Sequence, residues 1–208
     1  DANEAASLFY HSLLQNAGPA RAYAEERGLD AAIIGDFQIG YSPPGWERLR
    51  DHLTQRGFDE AKLVEAGLTI ESERGGYDRF RDRLMFPTRD ARGRMIGFGA
   101  RALAAGQEPK YLNTSQTPLF DKSRVLFGLD QAKAAIRESE TAVIVEGYTD
   151  ALMAHQAGFD NVVASLGTAL TPGQVALLTR YAKRIALAYD VDAAGQVGSN
   201  QIRNRATI

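Results

Sequence analysis

From Thr141 onward, short apolar runs alternate with helical stretches, and this alternation constrains the fold more than any other feature of the 208-residue chain. TAVIVE (141–146), NVVASLG (161–167) and RIALAYD (184–190) read as strands. Between them, YTDALMAHQAG is a helix ended by Gly158, and TPGQVALLTRYAK has Thr171 as its N-cap and Pro172 at the first helical position. The crossovers are long enough for βαβ units, which implies parallel strands with helices packed on the sheet faces.

Open parallel sheets bind ligands outside the carboxyl ends of their strands. Three acids take such positions: Glu146 ends the first strand, and Asp190 and Asp192 follow the third. Clustered carboxylates repel and raise one another's pKa values, so the grouping makes chemical sense with a cation or a shared proton between them. Oxygen donors with no nearby His or Cys select a hard ion, Mg²⁺ or Mn²⁺, of the kind that commonly bridges phosphates. Either feature alone reads more readily as a loop acid or a turn cap, whereas together they favour a site. Asp150 is equally a fourth acid of that site or the N-cap of the helix it opens. DVDAAGQVGSNQ also has the Asp, Asp and Gly of a calcium-binding loop at its first, third and sixth positions. Its twelfth residue, however, is Gln201 rather than a bidentate Glu, and a strand precedes it. A phosphotransfer aspartate on a doubly wound fold is a further option, one that leaves Glu146 unexplained.

The first third reads as short helices. EAASLFYHSLLQ carries apolar residues at helical spacing, GPARAYAEERG places Pro19 at a helix start and Gly28 at its end, a third helix runs from about Trp46 to Gly57, and Asp59 caps a fourth that stops at Gly67. The period then changes. RLMFPTRD, the turn residues of DARG and RMIGFGARAL predict an antiparallel hairpin in which Gly97 and Gly99 mark bulges or close backbone approach. In RFRDR, Arg79, Arg81 and Arg83 lie two apart, so in a strand they project from one face as a basic ridge. A solvated arginine face accounts for the spacing equally well.

Net charge is −2, but it is unevenly spread: residues 79–124 hold ten Lys/Arg against four Asp/Glu, or +6, leaving −8 elsewhere. Such segregation raises local affinity for polyanions under a pI of about 6.0 that conceals it. The chain has no cysteine, which excludes disulfides and a thiolate zinc site within this stretch. With no apolar run near the ~18 residues of a membrane span and no signal-like start, a cytoplasmic protein with no membrane partner is expected.

VIVEGYTDAL followed by YDVDAAG resembles the TOPRIM domain of topoisomerases, primases and some nucleases. YDRFRDRLMFPTRDARGRMIGFGARAL, PKYLN and LFGLDQA are similar to the catalytic domain of bacterial replicative DNA primases, which make RNA primers on single-stranded DNA, and FQIGYSPPGW fits the same family. The resemblance covers about residues 5–195. It implies an α/β fold in two parts: a mixed α+β N-terminal subdomain with a basic surface (1–135), then an incomplete TOPRIM parallel sheet (136–208). Also implied is metal-dependent nucleotidyl transfer, with Glu146, Asp190 and Asp192 catalytic and, with Asp150, holding Mg²⁺ or Mn²⁺. Arg101, Lys110, Tyr111, Asn113 and Lys122 would bind the nucleotide, and Arg79, Arg81, Arg83, Arg101 and Lys110 the DNA.

The implied partners are a single-stranded DNA template and ribonucleoside triphosphates, with the replicative helicase engaged only through a module outside this stretch. Ala100 stands where the family usually has a second Gly, Val191 where a small residue is common, and the tail VGSNQIRNRATI departs from the expected alanine-rich helix. The family's further acidic cluster and its zinc module are expected beyond the two ends, so the chain reads as a fragment. A non-catalytic single-strand-binding module and another TOPRIM enzyme, nuclease or topoisomerase, are the alternatives.

Overall fold

The structure is a computed structural model that describes residues 2–73, 75–167 and 169–189; Asp190 and Asp192 lie outside them. Contacts divide the chain into two compact units, Asp1–Asp121 and Lys122–Ile208.

In the first unit, helices α1 (Ala2–Leu14) and α2 (Gly18–Glu26) form where the apolar spacing predicts them, with Pro19 in the first turn of α2. A short helix α3 (Ala31–Asp36) follows, which periodicity could not show in six residues; Asp30 caps it, accepting the Ile33 N–H at 2.9 Å. Strand β1 (Gly40–Ser42) precedes α4 (Arg48–Gln55) and α5 (Glu60–Glu65), and Asp59 caps α5 as expected, accepting the Ala61 N–H. Strands β2 (Thr69–Ile70) and β3 (Tyr77–Asp78) make a small ribbon. The predicted hairpin is β4 (Arg83–Arg89) and β5 (Met95–Ala102), completed by β6 (Tyr111–Asn113) into an antiparallel sheet of order β1-β4-β5-β6. Pro87 is tolerated inside this sheet because β1 pairs only with Arg83–Met85, leaving the strand edge open beside Pro87 next to the register shift at Thr88/Arg89. The close approach expected of the hairpin glycines is found at Gly97, where a Cβ would lie 2.8 Å from Thr114 Oγ1 and 2.9 Å from the Phe120 ring.

The RFRDR segment differs from the strand reading. Arg79 to Asp82 form no strand, and Asp82 takes a positive φ of 51°, which breaks the two-residue alternation before β4 begins at Arg83. The three arginines therefore do not form one ridge.

Tyr10 of α1, Leu49 and Leu53 of α4, Leu63 of α5, and Phe80, Met85, Phe98 and Ala100 of the sheet region form the core of this unit. Two polar devices hold α1 and α4 to it. Arg89 of β4 grips Glu4 with bonds of 2.8 and 2.9 Å. Asp78, almost fully buried, accepts the Leu49 and Arg50 N–H groups at 2.7 and 2.9 Å and so caps α4 from 28 residues away. Glu47, at the cap position itself, makes no side-chain capping bond.

The second unit holds α6 (Leu129–Ser139), β7 (Thr141–Val145), α7 (Tyr148–Gln156), β8 (Val162–Ala164), α8 (Pro172–Leu178) and β9 (Arg184–Leu187). Its sheet has order β8-β7-β9 with both pairs parallel, as the crossover lengths require. Helix α6 packs on β7 and β8, and α7 on β8. Thr171 caps α8 in a capping box with Gln174, whose buried amide also donates to the Val125 carbonyl at 2.9 Å. No helix among the described residues is long and apolar enough to cross a membrane.

Two features of the first unit's packing can be tested by substitution. A Cβ on Gly40 would meet Tyr10 backbone and Cβ atoms at 2.7 Å, so Gly40→Ala is expected to lower stability by about 1–3 kcal/mol in urea unfolding. Burial pushes the Asp78 carboxyl above its usual range, against the opposing pull of the two N–H bonds. Its native state then holds the proton more tightly than the unfolded chain, so its stabilising contribution is fullest below pH 3.8 and declines as pH rises through the native pKa. The stability advantage of the parent over Asp78→Asn, measured by urea titration at a series of pH values, should shrink as pH rises above 3.8.

Candidate active site and nucleic-acid interface

Parallel pairing sets the geometry of the second unit's sheet edge. Ile144 of β7 pairs with Leu187 of β9, and the Ala188 N–H donates to the Ile144 carbonyl at 2.9 Å. Glu146 and Tyr189 thus leave the sheet side by side, and the Glu146 carboxylate adds to burial in pushing the Tyr189 hydroxyl upward. On the other side of β7, the Ser165 N–H donates to the Val145 carbonyl at 3.1 Å. Glu146 is half-buried at this edge. Asp150 is exposed in the first turn of α7, and its Oδ2 accepts the Gly147 N–H at 3.0 Å, the reciprocal bond of a helix start. The structure therefore puts Glu146 and Asp150 at one strand-to-helix turn. Asp190 and Asp192 fall outside the described residues, among which no group of three or more His, Cys, Asp or Glu is placed to hold a metal.

The basic residues of the first unit are held individually. Arg79 donates through Nε and Nη2 to the Asn113 carbonyl at 3.2 and 2.9 Å, which ties two of the expected site residues together. Arg83 is buried and donates to the Pro109 carbonyl at 2.8 Å. Burial holds its guanidinium below the usual range, and the nearby charges of Arg81 and Arg101 add to that effect. Arg101 donates to the Ala102 carbonyl at 2.8 Å and lies 5.2 Å from the centroid of the Tyr111 ring. Lys110 joins Arg101 in lining a pocket of about 260 Å³ with Tyr23, Gln107 and Glu108. Lys122 opens the second unit, and burial lowers its ammonium.

Three residues of this surface were missed by reading the sequence. Trp46 is 62% exposed, packs edge-on against Tyr77 at 5.4 Å, and carries the Arg81 guanidinium 4.2 Å from its ring centroid. Arg81 also donates to the Asp78 carbonyl. Tyr23 and Arg27, on and just after α2, belong with Arg101: the two guanidiniums lie 5.3 and 5.5 Å from the Tyr23 centroid. An aromatic ring in a mainly helical stretch carries no sign of its arginine partner 78 positions later. The one available signal was the exposed Pro-Pro-Gly-Trp turn, where a large aromatic residue is unusual.

A like-charged cluster assembled around aromatic faces suits a polyanion. A family model described as the DNA primase catalytic core, N-terminal domain, matches residues 8–133, and one described as the Toprim domain matches residues 140–207. The DNA primase of Synechococcus elongatus is 48% identical over 198 residues, 91% of this chain and 28% of that protein, and the DNA primase of Clostridium acetobutylicum is 42% identical over 196 residues, 94% of this chain and 32% of that protein. The chain spans roughly a third of the length of these curated relatives. Among solved structures, the RNA polymerase domain of Mycobacterium tuberculosis primase DnaG superposes with a TM-score of 0.92 at 41% identity, covering 98% of this chain and 69% of that one. A DnaG primase catalytic domain bound to ssDNA gives a TM-score of 0.86 at 39% identity, covering 97% of this chain and 63% of that one. The mixed α/β first unit and the parallel sheet of the second match this fold, and the chain belongs to the DNA primase catalytic core family, with its N-terminal domain followed by a Toprim domain.

Proposed function

We propose that this chain is part of the catalytic core of a DNA primase, a nucleotidyltransferase that joins ribonucleotides into primers on a single-stranded DNA template in the bacterial cytoplasm. The observation that carries this reading is the parallel register of β7 and β9, which brings Glu146 beside Tyr189, the residue immediately before Asp190. Glu146, Asp190 and Asp192 are the proposed ligands of Mg²⁺ or Mn²⁺, with Asp150 in support. Their all-oxygen donor set fits a hard cation, and the half-buried Glu146 carboxylate already makes the edge electronegative. When bound, such ions supply charge stabilisation for the attacking and leaving oxygens of an in-line displacement at phosphorus.

The first unit's residues take the complementary role. Arg101, Lys110, Tyr111 and Asn113, together with Lys122 of the second unit, are proposed to hold the nucleotide, the charges of Arg101, Lys110 and Lys122 offsetting the triphosphate. Arg79, Arg81, Arg83, Arg101 and Lys110 are proposed to serve the template, in a positive groove that needs no base-edge readout. Trp46 with Arg81 against it offers a base-stacking face of the kind single strands use. The helicase is expected to engage a module outside this chain. A binding module without catalysis is supported by the same basic and aromatic surface, and the strand-end carboxylate separates the two readings.

In the whole protein that carries this chain, Glu146→Gln should lower primer synthesis on a single-stranded template by at least ~100-fold while changing affinity for that template by less than about twofold. Retained synthesis would overturn the metal-site assignment. Trp46→Ala should weaken binding of a fluorescent oligo-dT strand by about 1–3 kcal/mol, read by anisotropy, with primer synthesis recovering at saturating template.

A further inference from the structure

Arg101 and Arg27 carry like charges and are brought together around one ring. Arg101 lies 5.5 Å from the Tyr23 centroid and 5.2 Å from that of Tyr111, while Arg27 lies 5.3 Å from Tyr23. The three elements involved are distant in sequence: Tyr23 in α2, Arg101 in β5 and Tyr111 in β6, paired directly with Arg101 across the strands. Two guanidiniums this close to one ring repel each other. The negative face of the ring offsets that repulsion without neutralising either cation, as a carboxylate would. The site thus keeps both charges for a ligand. Arg101 is anchored further by one bond to the Ala102 carbonyl and by a side-chain hydrogen bond to Tyr111, neither of which removes its charge. The Tyr23 hydroxyl is buried and makes no hydrogen bond, so the ring is the part of this side chain with an evident role.

We infer that Tyr23 is a positioning residue that holds Arg27 and Arg101 as a paired phosphate clamp for single-stranded nucleic acid. The inference rests on the proposed reading of Arg101 as a template ligand and extends it to Arg27. Tyr23 touches the guanidiniums rather than the strand, and its effect on binding passes through them. The raised pKa of Tyr111, to which burial contributes most and which both arginines moderate, is consistent with the same compact grouping.

Binding of a fluorescein-labelled oligo-dT strand to the 208-residue chain, followed by anisotropy over a range of KCl concentrations, tests this. Tyr23→Leu should weaken binding by about five- to tenfold, whereas Tyr23→Phe, which keeps the ring and drops only the unpartnered hydroxyl, should stay within about twofold of the parent. Arg27→Ala with Arg101→Ala should weaken binding and lower the salt slope by roughly 0.7 for each phosphate that is no longer neutralised. Added to that pair, Tyr23→Leu should have no further effect beyond about twofold, because the groups it positions are gone. If the arginine pair matters and Tyr23→Leu does not, the positioning role falls and the basic surface stands. If the arginine pair itself has no effect, the template reading of Arg101 falls first. An equal loss from Tyr23→Leu with and without the arginines would also overturn the inference, since Tyr23 would then act by another route. Tyr23→Met fills the space without a ring and gives the same readout where leucine impairs folding.

Discussion

Parallel strands cannot be joined by a tight turn. Each of the two connections in the second unit must carry the chain back across a face of the sheet, and each strand then ends at the same edge as its neighbour. Everything proposed for the second unit depends on that geometric consequence. With β8 and β9 both parallel to β7, Ser165, Glu146 and Tyr189 emerge together. An antiparallel β9 would send its outgoing end to the opposite edge and separate Glu146 from Tyr189. The proposed site needs little side-chain ingenuity beyond this, because a half-buried carboxylate at a strand end and a helix beginning two residues later are products of backbone direction.

The first unit solves a different problem, the assembly of many positive charges on a folded surface. Its arginines are satisfied mostly by backbone carbonyls and aromatic faces: Arg79 by Asn113, Arg83 by Pro109, Arg81 by Asp78 and Trp46, Arg101 by Ala102, Tyr23 and Tyr111. Neither kind of partner cancels a charge. Glu4 with Arg89 and Asp90 with Arg94, in contrast, are true ion pairs, and neither of these arginines was among the proposed ligands. The distinction separates arginines paired with carboxylates from those held by carbonyls and rings, among them the buried Arg83, and it is more informative than the count of basic residues between positions 79 and 124.

Much of the fold was legible because it is encoded locally. Pro19, Asp59, Thr171 and Gly28, Gly57 and Gly67 act through bonds and dihedral preferences within a few residues, and each marks the helix end that its sequence context indicates. The failures have equally definite causes. A six-residue α3 and a three-residue β1 are too short to display a period. The alternation of Arg79, Arg81 and Arg83 looked like a strand, but one left-handed residue at Asp82 ends the alternation, and no spacing rule foresees it. Asp150, one of whose two readings was the N-cap of α7, stands instead at the third helical position, and its Oδ2 accepts the N–H of Gly147, the residue that occupies the cap.

By itself the sequence determined the strand and helix grammar, the parallel second sheet, the segregation of positive charge and the place of Glu146 at a strand end, because these depend on residue order and local chemistry. Tertiary structure alone decided which groups meet. It assigned Asp78 to cap a helix 28 residues upstream, set Trp46 under Arg81, and gathered Tyr23, Arg27, Arg101 and Tyr111 from three elements. Contacts of this kind arise when packing of a shared core brings distant segments together, and their geometry is set by how helices and strands stack rather than by any interval along the chain.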